Sequence, residues 1–398
     1  STKIAGIMVD LNLTEEQYRW CLTAPYIIVV VISIPVNILL RKSRPSLLVG
    51  FLALIWGGVS MGNAGVTNFT GLLLCQIISG VAGTVAFRGL IAYGASQIPA
   101  STLNSWQWLF IIFGIPSVIG GFLCLFFLPE SPETAEFLND NERKLATTRL
   151  YAERAYSDAV NSWSWAQVIS VLKDWKLYWY SIIFMLGAVA SSGGKLNLPS
   201  IIDGMGDWSK SASLALTTPP QIVGCIAIYF SGWLSDKLGQ RAYIFIGAHL
   251  VMAFGLFLII FIPDEQIGVR YFAVCCLISG WKAFQPVRSS WGVDNFSGLT
   301  RRAVATAVFF IFESSGNAIG GQAYFDGPRY TMGHTIALSA VGLNIILAIG
   351  LRLILKRINN QREKVHIEQD QHTRDQVFAR YGGDEIIGDR HPDYRYTL

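Results

Sequence analysis

Apolar residues recur along the chain in ten long runs separated by shorter polar stretches. The first four cover residues 21–40, 47–63, 71–93 and 108–128; six more cover 177–198, 214–234, 242–262, 271–292, 303–325 and 336–355. A helix rises ~1.5 Å per residue and a bilayer core is ~30 Å thick, so about 20 apolar residues make one crossing. Every run reaches or approaches that length, and the pattern predicts an all-α integral membrane protein. Pro, Gly and polar residues break several runs, as membrane helices tolerate when neighbours satisfy the backbone. The spacing divides the chain into an N-terminal helical bundle at 1–128, a central cytoplasmic loop at 129–176, a six-helix bundle at 177–355 and a cytoplasmic tail at 356–398. Residues 140–156 of the loop are amphipathic and rich in charge, which predicts a helix on the inner membrane face. The tail mixes both signs of charge and is expected to be partly disordered.

Composition agrees with this pattern. Hydrophobic residues make up 52% of the 398 and charged residues only 15%, too little to cover a soluble domain of that size. The net charge of +4 is small and scattered, which argues against a nucleic acid partner. Cys21, Cys75, Cys124, Cys225, Cys275 and Cys276 all fall in apolar runs and read as packing thiols. There is no Walker A loop, no HExxH and no CxxC pair, so neither an enzyme nor a cofactor or metal site is expected. The chain starts at Ser1 without a signal peptide, as a fragment or processed chain would.

Basic residues orient the runs, because loops rich in Lys and Arg stay in the cytoplasm. Arg41, Lys42 and Arg44 follow the first run, Lys237 and Arg241 the sixth, and Lys356, Arg357, Arg362 and Lys364 the last, while Arg301 and Arg302 precede the ninth. The loop at 129–176 is also basic. Four crossings in the first part would leave that loop outside, so the parity is wrong by one. Arg88 interrupts the run 71–93, and residues 95–105 carry no charge. Either this segment enters and leaves from outside, or a crossing is missing near Phe87 and Arg88; the second reading is preferred.

The turn Gly232-Trp-Leu-Ser-Asp236-Lys237-Leu-Gly239-Gln-Arg241 joins two membrane-length runs. Its glycines allow close backbone approach, and Asp236 can pair with Lys237 or Arg241 across the helix ends. This G-x-L-S-D-K-x-G-x-R pattern resembles the cytoplasmic loop signature of the major facilitator superfamily. Further stretches narrow the likeness: residues 5–20, Ile34-Pro35 with Asn37 before Arg41, residues 128–133, residues 326–330 and residues 388–398. Nearly the whole chain resembles fungal carriers of the anion:cation symporter family, the allantoate permease group, which includes carriers of allantoate, nicotinate, pantothenate and biotin.

The resemblance implies a two-bundle major facilitator-type fold of twelve spans, of which this chain lacks about two in the first half. It also implies a charged latch at the cytoplasmic gate made by Gly232, Asp236, Lys237, Gly239 and Arg241. Ser33, Gln76 and Gly83 stand where such carriers commonly have charged residues. The expected activity is proton-coupled uptake of a small organic anion, a carboxylate nutrient, by alternating access. The expected partners are that anion, protons and the lipid bilayer, with the chain a monomer in the plasma membrane. The alternatives are a truncated homologue that does not transport, and a nutrient sensor.

An ionisable group inside a membrane costs roughly 2.5–3.5 kcal/mol on insertion scales, so each is a candidate for function. Lys282 and Glu313 lie near the middles of consecutive antiparallel runs and are expected to pair. The pair reads either as a switch, in which protonated Glu313 releases Lys282 to a substrate carboxylate, or as permanent neutralisation. His249 reads as a proton relay or as a satisfied packing residue. Lys195 attracts anions or snorkels to the headgroups. Asn317, four residues after Glu313, is placed to bond a ligand or a neighbouring helix, and Trp281 to stack on a substrate or pack. Arg288 is expected to snorkel. Trp20, Trp106, Trp108, Trp175, Trp179, Trp233 and Trp291 lie near run ends, as interfacial anchors do.

Overall fold

The computed structural model describes residues 7–42, 45–79, 105–127, 129, 135, 138–155, 165–325, 327, 329–368 and 394–398, and the described elements are helical. The proposed missing crossing at Phe87 and Arg88, together with Gly83, lies outside these residues. A short α1 (Ile7–Asp10) leads into α2 (Glu15–Lys42). Thr14 and Gln17 start α2 as a reciprocal cap. The Thr14 hydroxyl accepts the Gln17 N–H at 3.2 Å and the Gln17 side chain accepts the Thr14 N–H at 3.0 Å. Next come α3 (Pro45–Gly62), α4 (Phe69–Ser79) and α5 (Ser105–Phe127). Helix α3 packs along α5, and α2 packs on α4.

The charged helix expected at 140–156 is α6 (Asp140–Ala155), followed by a short apolar α7 (Trp165–Leu172). The second part then forms one packed bundle of α8 (Trp175–Asp203), α9 (Lys210–Ala215), α10 (Thr218–Leu238), α11 (Arg241–Phe261), α12 (Ile267–Asp294), α13 (Leu299–Gln322) and α14 (Thr331–Glu368). Helix α12 packs between α10 and α11, while α8 lies between α13 and α14. Seven described helices are long and apolar enough to cross a membrane. Their outward faces carry exposed apolar side chains such as Phe126, Phe127, Ile226, Phe261 and Ile346, which suit lipid and not water. The protein is a multi-pass membrane protein.

Small residues let these helices approach closely. A Cβ on Gly280 of α12 would lie 2.6 Å from the Met252 nitrogen and 2.7 Å from the Ala248 carbonyl oxygen of α11. Both neighbours are backbone and cannot swing away. Gly280→Val should therefore lower stability by about 1–3 kcal/mol through overpacking. Thermal unfolding in detergent measures it, and an unchanged midpoint would contradict this packing.

Two expectations change, for the end of the last helix and for Trp291. The last run, predicted to end at 355, continues as helix to Glu368, because Lys, Arg, Gln and Glu are good helix formers outside the bilayer. Within the tail, residues 394–398 are held against the bundle, with Tyr396 buried. Trp291 is no lipid-facing anchor: it is fully buried, and its indole N–H donates to the Thr397 carbonyl at 3.0 Å.

Candidate functional site

Helix α12 carries the densest polar chemistry of the bundle. Trp281, Gln285 and Arg288 recur at i, i+4 and i+7, so they share one face. The Trp281 indole donates to the Gln285 carbonyl oxygen at 3.2 Å, and the Gln285 amide reaches Glu313 of α13 at 3.5 Å. Arg288 completes the row. Its Nη2 pairs with Glu313 at 2.7 Å and its Nη1 donates to the Phe184 carbonyl of α8 at 3.1 Å. The guanidinium lies 4.1 Å from the Phe184 ring centre and is only 1% exposed, with Glu313 15% exposed. Gly187 of α8 makes the room, since a Cβ there would lie 3.1 Å from Arg288 Nη1.

Glu313 therefore pairs with Arg288, not with Lys282. Depth alone predicted the wrong partner. At about 100° per residue, Lys282 is turned about 120° from Arg288 around α12. Its stem packs towards α10, where a Cβ on Gly224 would meet Lys282 Cγ at 2.9 Å. Arg288 does not snorkel, because α8 and α13 close over it. Asn317 stays within its own helix, donating to the Glu313 carbonyl at 3.0 Å.

Lys282 Nζ lies 4.9 Å from the Trp281 ring centre, and Lys195 Nζ lies 5.2 Å from that of Tyr26 on α2. Among the described residues neither is within ion-pair distance of a carboxylate. Pro286 has no N–H, so the Lys282 carbonyl loses its usual helical donor, which loosens α12 at this level. Lys195 also marks where the first part of the chain meets the second. Helix α2 packs along α13, and Gln322 donates to the Thr23 hydroxyl at 2.9 Å.

His249 takes the packing role. It is fully buried on α11, stacked 4.3 Å from Phe284. Its Nδ1 lies 3.0 Å from the Phe245 carbonyl oxygen, an acceptor, so that nitrogen carries the proton. Nε2 then accepts from the Asn344 amide at 3.1 Å, and both ring nitrogens are used. Asn344, also fully buried, donates in addition to the Ile183 carbonyl at 3.2 Å. The sequence reading passed over Asn344 and Gln285. A polar residue one turn from Trp281 on the same face was the available signal for Gln285.

The Gly232–Arg241 turn forms a compact ion cluster. Gly239 ends α10 at φ +61°, a left-handed conformation that suits glycine, and its N–H bonds the Ser235 carbonyl at 3.0 Å. Arg241 spans two carboxylates: Nη1 lies 3.3 Å from Asp236 and Nε 2.8 Å from Asp294 at the end of α12. Asp236 is 73% exposed, so the Asp294 contact is the stronger of the two. Lys237 pairs with neither; its ammonium lies 4.8 Å from the Trp233 ring centre. Gly232 contacts nothing through its missing Cβ. Among the described residues, no cluster of His, Cys, Asp or Glu could hold a metal ion.

The family model of the Major Facilitator Superfamily matches residues 90–321, more than half of the sequence. The chain belongs to this superfamily. It is a transporter of the facilitator type. It is 26% identical to an uncharacterized transporter of Schizosaccharomyces pombe, over 99% of this chain and 83% of that one. It is 25% identical to the high-affinity nicotinic acid transporter of Saccharomyces cerevisiae, over 100% of this chain and 79% of that protein. Its fold matches the proton:xylose symporter XylE with a TM-score of 0.63 at 15% identity, covering 85% of this carrier and 89% of XylE. It also matches a bacterial homolog of the human lysosomal transporter Spinster, with a TM-score of 0.58 at 12% identity, covering 89% and 92% of the two chains.

Proposed function

We propose that this carrier imports a small carboxylate-bearing anion together with a proton, by alternating access between its two helical halves. The observation that carries the reading is the pair of ammonium groups on Lys195 and Lys282. Each stands beside an aromatic ring, Lys195 by Tyr26 where α2 meets the second bundle and Lys282 by Trp281 on the side of α10, without a carboxylate partner among the described residues. An anionic substrate supplies that counter-charge, and Trp281 and Tyr26 offer faces to an aromatic or planar one. The nicotinic acid transporter among the relatives supports a carboxylate.

Proton coupling is assigned to Glu313. Arg288 and Gln285 of α12 face its carboxylate, and Asn317 holds its backbone. Protonating Glu313 would remove its charge and release Arg288 towards the substrate. His249, with both nitrogens bonded, supports the fold. Arg241, bound to Asp236 and Asp294, would latch the cytoplasmic gate, with Gly232, Lys237 and Gly239 shaping the turn. Basic loops support that sidedness. We assign the carrier to the plasma membrane as a monomer.

The test is uptake of labelled allantoate, nicotinate, pantothenate and biotin by cells producing this chain, at pH 5 and pH 7, with and without an uncoupler. Uptake of one of them should be faster at pH 5, vanish with the uncoupler, and fall by about tenfold or more in Lys282→Ala, the loss of one charge-assisted bond. Uptake indifferent to the uncoupler would overturn the coupling, and full uptake by Lys282→Ala would overturn the site.

A second reading, a homologue that no longer transports, is favoured by one observation. The match to the Schizosaccharomyces pombe relative spans 433 positions, more than the 398 residues of this chain, so some positions of that relative have no counterpart here. Under it, this chain at the cell surface takes up nothing, while a version with the missing stretch restored does.

A further inference from the structure

Residues 394–398 lie across the end of the second bundle where Arg241 meets Asp294. They are gripped through their backbone. Asn295, fully buried at the end of α12, accepts the Thr397 N–H at 2.8 Å and donates to the Thr397 carbonyl at 3.0 Å. Asn359 of α14 does the same one residue earlier, accepting the Tyr396 N–H at 2.9 Å and donating to its carbonyl at 2.9 Å. Two amide side chains thus read the backbone N–H and C=O of two consecutive residues, as a neighbouring strand would. The Tyr396 ring adds an anchor, with Lys176 Nζ 4.3 Å from its centre and bonded to its hydroxyl at 3.0 Å.

Two further contacts of this strap fall beside the ion pair. The Tyr394 hydroxyl donates to the carbonyl of Asp294. Asn295 is the next residue. On the other side, the main-chain oxygen of Leu398 accepts the N–H of Ala242 at 3.3 Å, one residue after Arg241. The strap therefore fixes the backbone beside both members of the Arg241–Asp294 pair, whose 2.8 Å contact needs the two helix ends in register.

We infer that residues 394–398 position the gate: the strap holds the end of α12 so that the Asp294 carboxylate meets Arg241. This rests on the gate reading of Arg241 given above. It does not depend on the substrate, and neither does its test.

Ser235 is the reporter position, since it is buried and its hydroxyl lies 3.4 Å from Arg241 Nη1. Ser235→Cys is made in a full-length chain whose six cysteines are replaced by serine. Its alkylation by a membrane-impermeant maleimide is timed in inside-out vesicles. Asn295→Ala and Tyr394→Phe should each speed labelling by about threefold or more, as loss of one or two net hydrogen bonds shifts an opening equilibrium. Arg241→Ala should speed it too, and adding Asn295→Ala to it should bring no further increase. Arg329→Ala, which removes an exposed pair with Asp264 at the opposite end of α11, should leave the rate unchanged.

Parental labelling in both strap variants while Arg241→Ala is fast would overturn the inference. So would strap and Arg241 effects that multiply. Parental labelling in Arg241→Ala itself would instead overturn the gate reading. Tyr394→Phe removes a single oxygen, so it keeps the test sound if Asn295→Ala fails to fold, with the thermal midpoint of each variant as the check.

Discussion

Arg288→Ala should lower the stability of the folded carrier by about 3–5 kcal/mol, the cost of leaving a buried charge without its partner. The variant strands Glu313, which has no other cation near it among the described residues, and the Phe184 carbonyl loses its donor. A cavity beside Gly187 and the Phe184 ring adds to the loss. The same reasoning predicts recovery. In a Glu313→Gln background no charge is stranded, so removing Arg288 should cost visibly less than it does alone. Thermal unfolding of the single and double variants in detergent decides this. Equal losses in both backgrounds would mean that the ion pair does not control stability here.

Asp174→Ala should have a comparable effect, about 3–5 kcal/mol, for the opposite charge. Asp174 caps α8, accepting the Lys176 N–H at 3.1 Å, and its carboxylate faces two cations. Arg301 lies 3.3 Å from it and Lys176 3.5 Å, and all three side chains are at least 95% buried. Removing the carboxylate leaves two buried cations facing each other and uncaps the helix. Asp174→Asn separates the contributions, because the amide oxygen can still cap while the charge is gone. It should destabilise by less than the alanine variant, by about 1 kcal/mol, the usual worth of a cap. If the two variants melted together, the cap would count for nothing and charge alone would explain the loss.

The spans of the second half were legible because apolar length is a one-dimensional signal. The run 242–262 became α11, Arg241–Phe261, and 271–292 lies inside α12, Ile267–Asp294. The charged turn was legible too, down to the Asp236–Arg241 contact. Partner choice was not. Glu313 announced itself by the cost of a carboxylate in a membrane, but depth cannot say which face of α12 it meets. That depended on α8, whose Phe184 carbonyl and Gly187 draw Arg288 inward. The strap was hidden for a related reason. Mixed charge between 356 and 398 reads as solvated chain, while Asn295 and Asn359, the residues that hold it, look like ordinary polar residues near helix ends.

The ammonium groups of Lys195 and Lys282, without a carboxylate partner among the described residues, have a thermodynamic consequence. An anion held by these groups would bind only the folded form and stabilise it by RT ln(1 + [L]/Kd), about 2.7 kcal/mol at a hundredfold excess over Kd. Melting temperature thus becomes a readout of ligand identity. A library of carboxylates can be ranked on purified protein, without vesicles or gradients, by how far each one raises the melt.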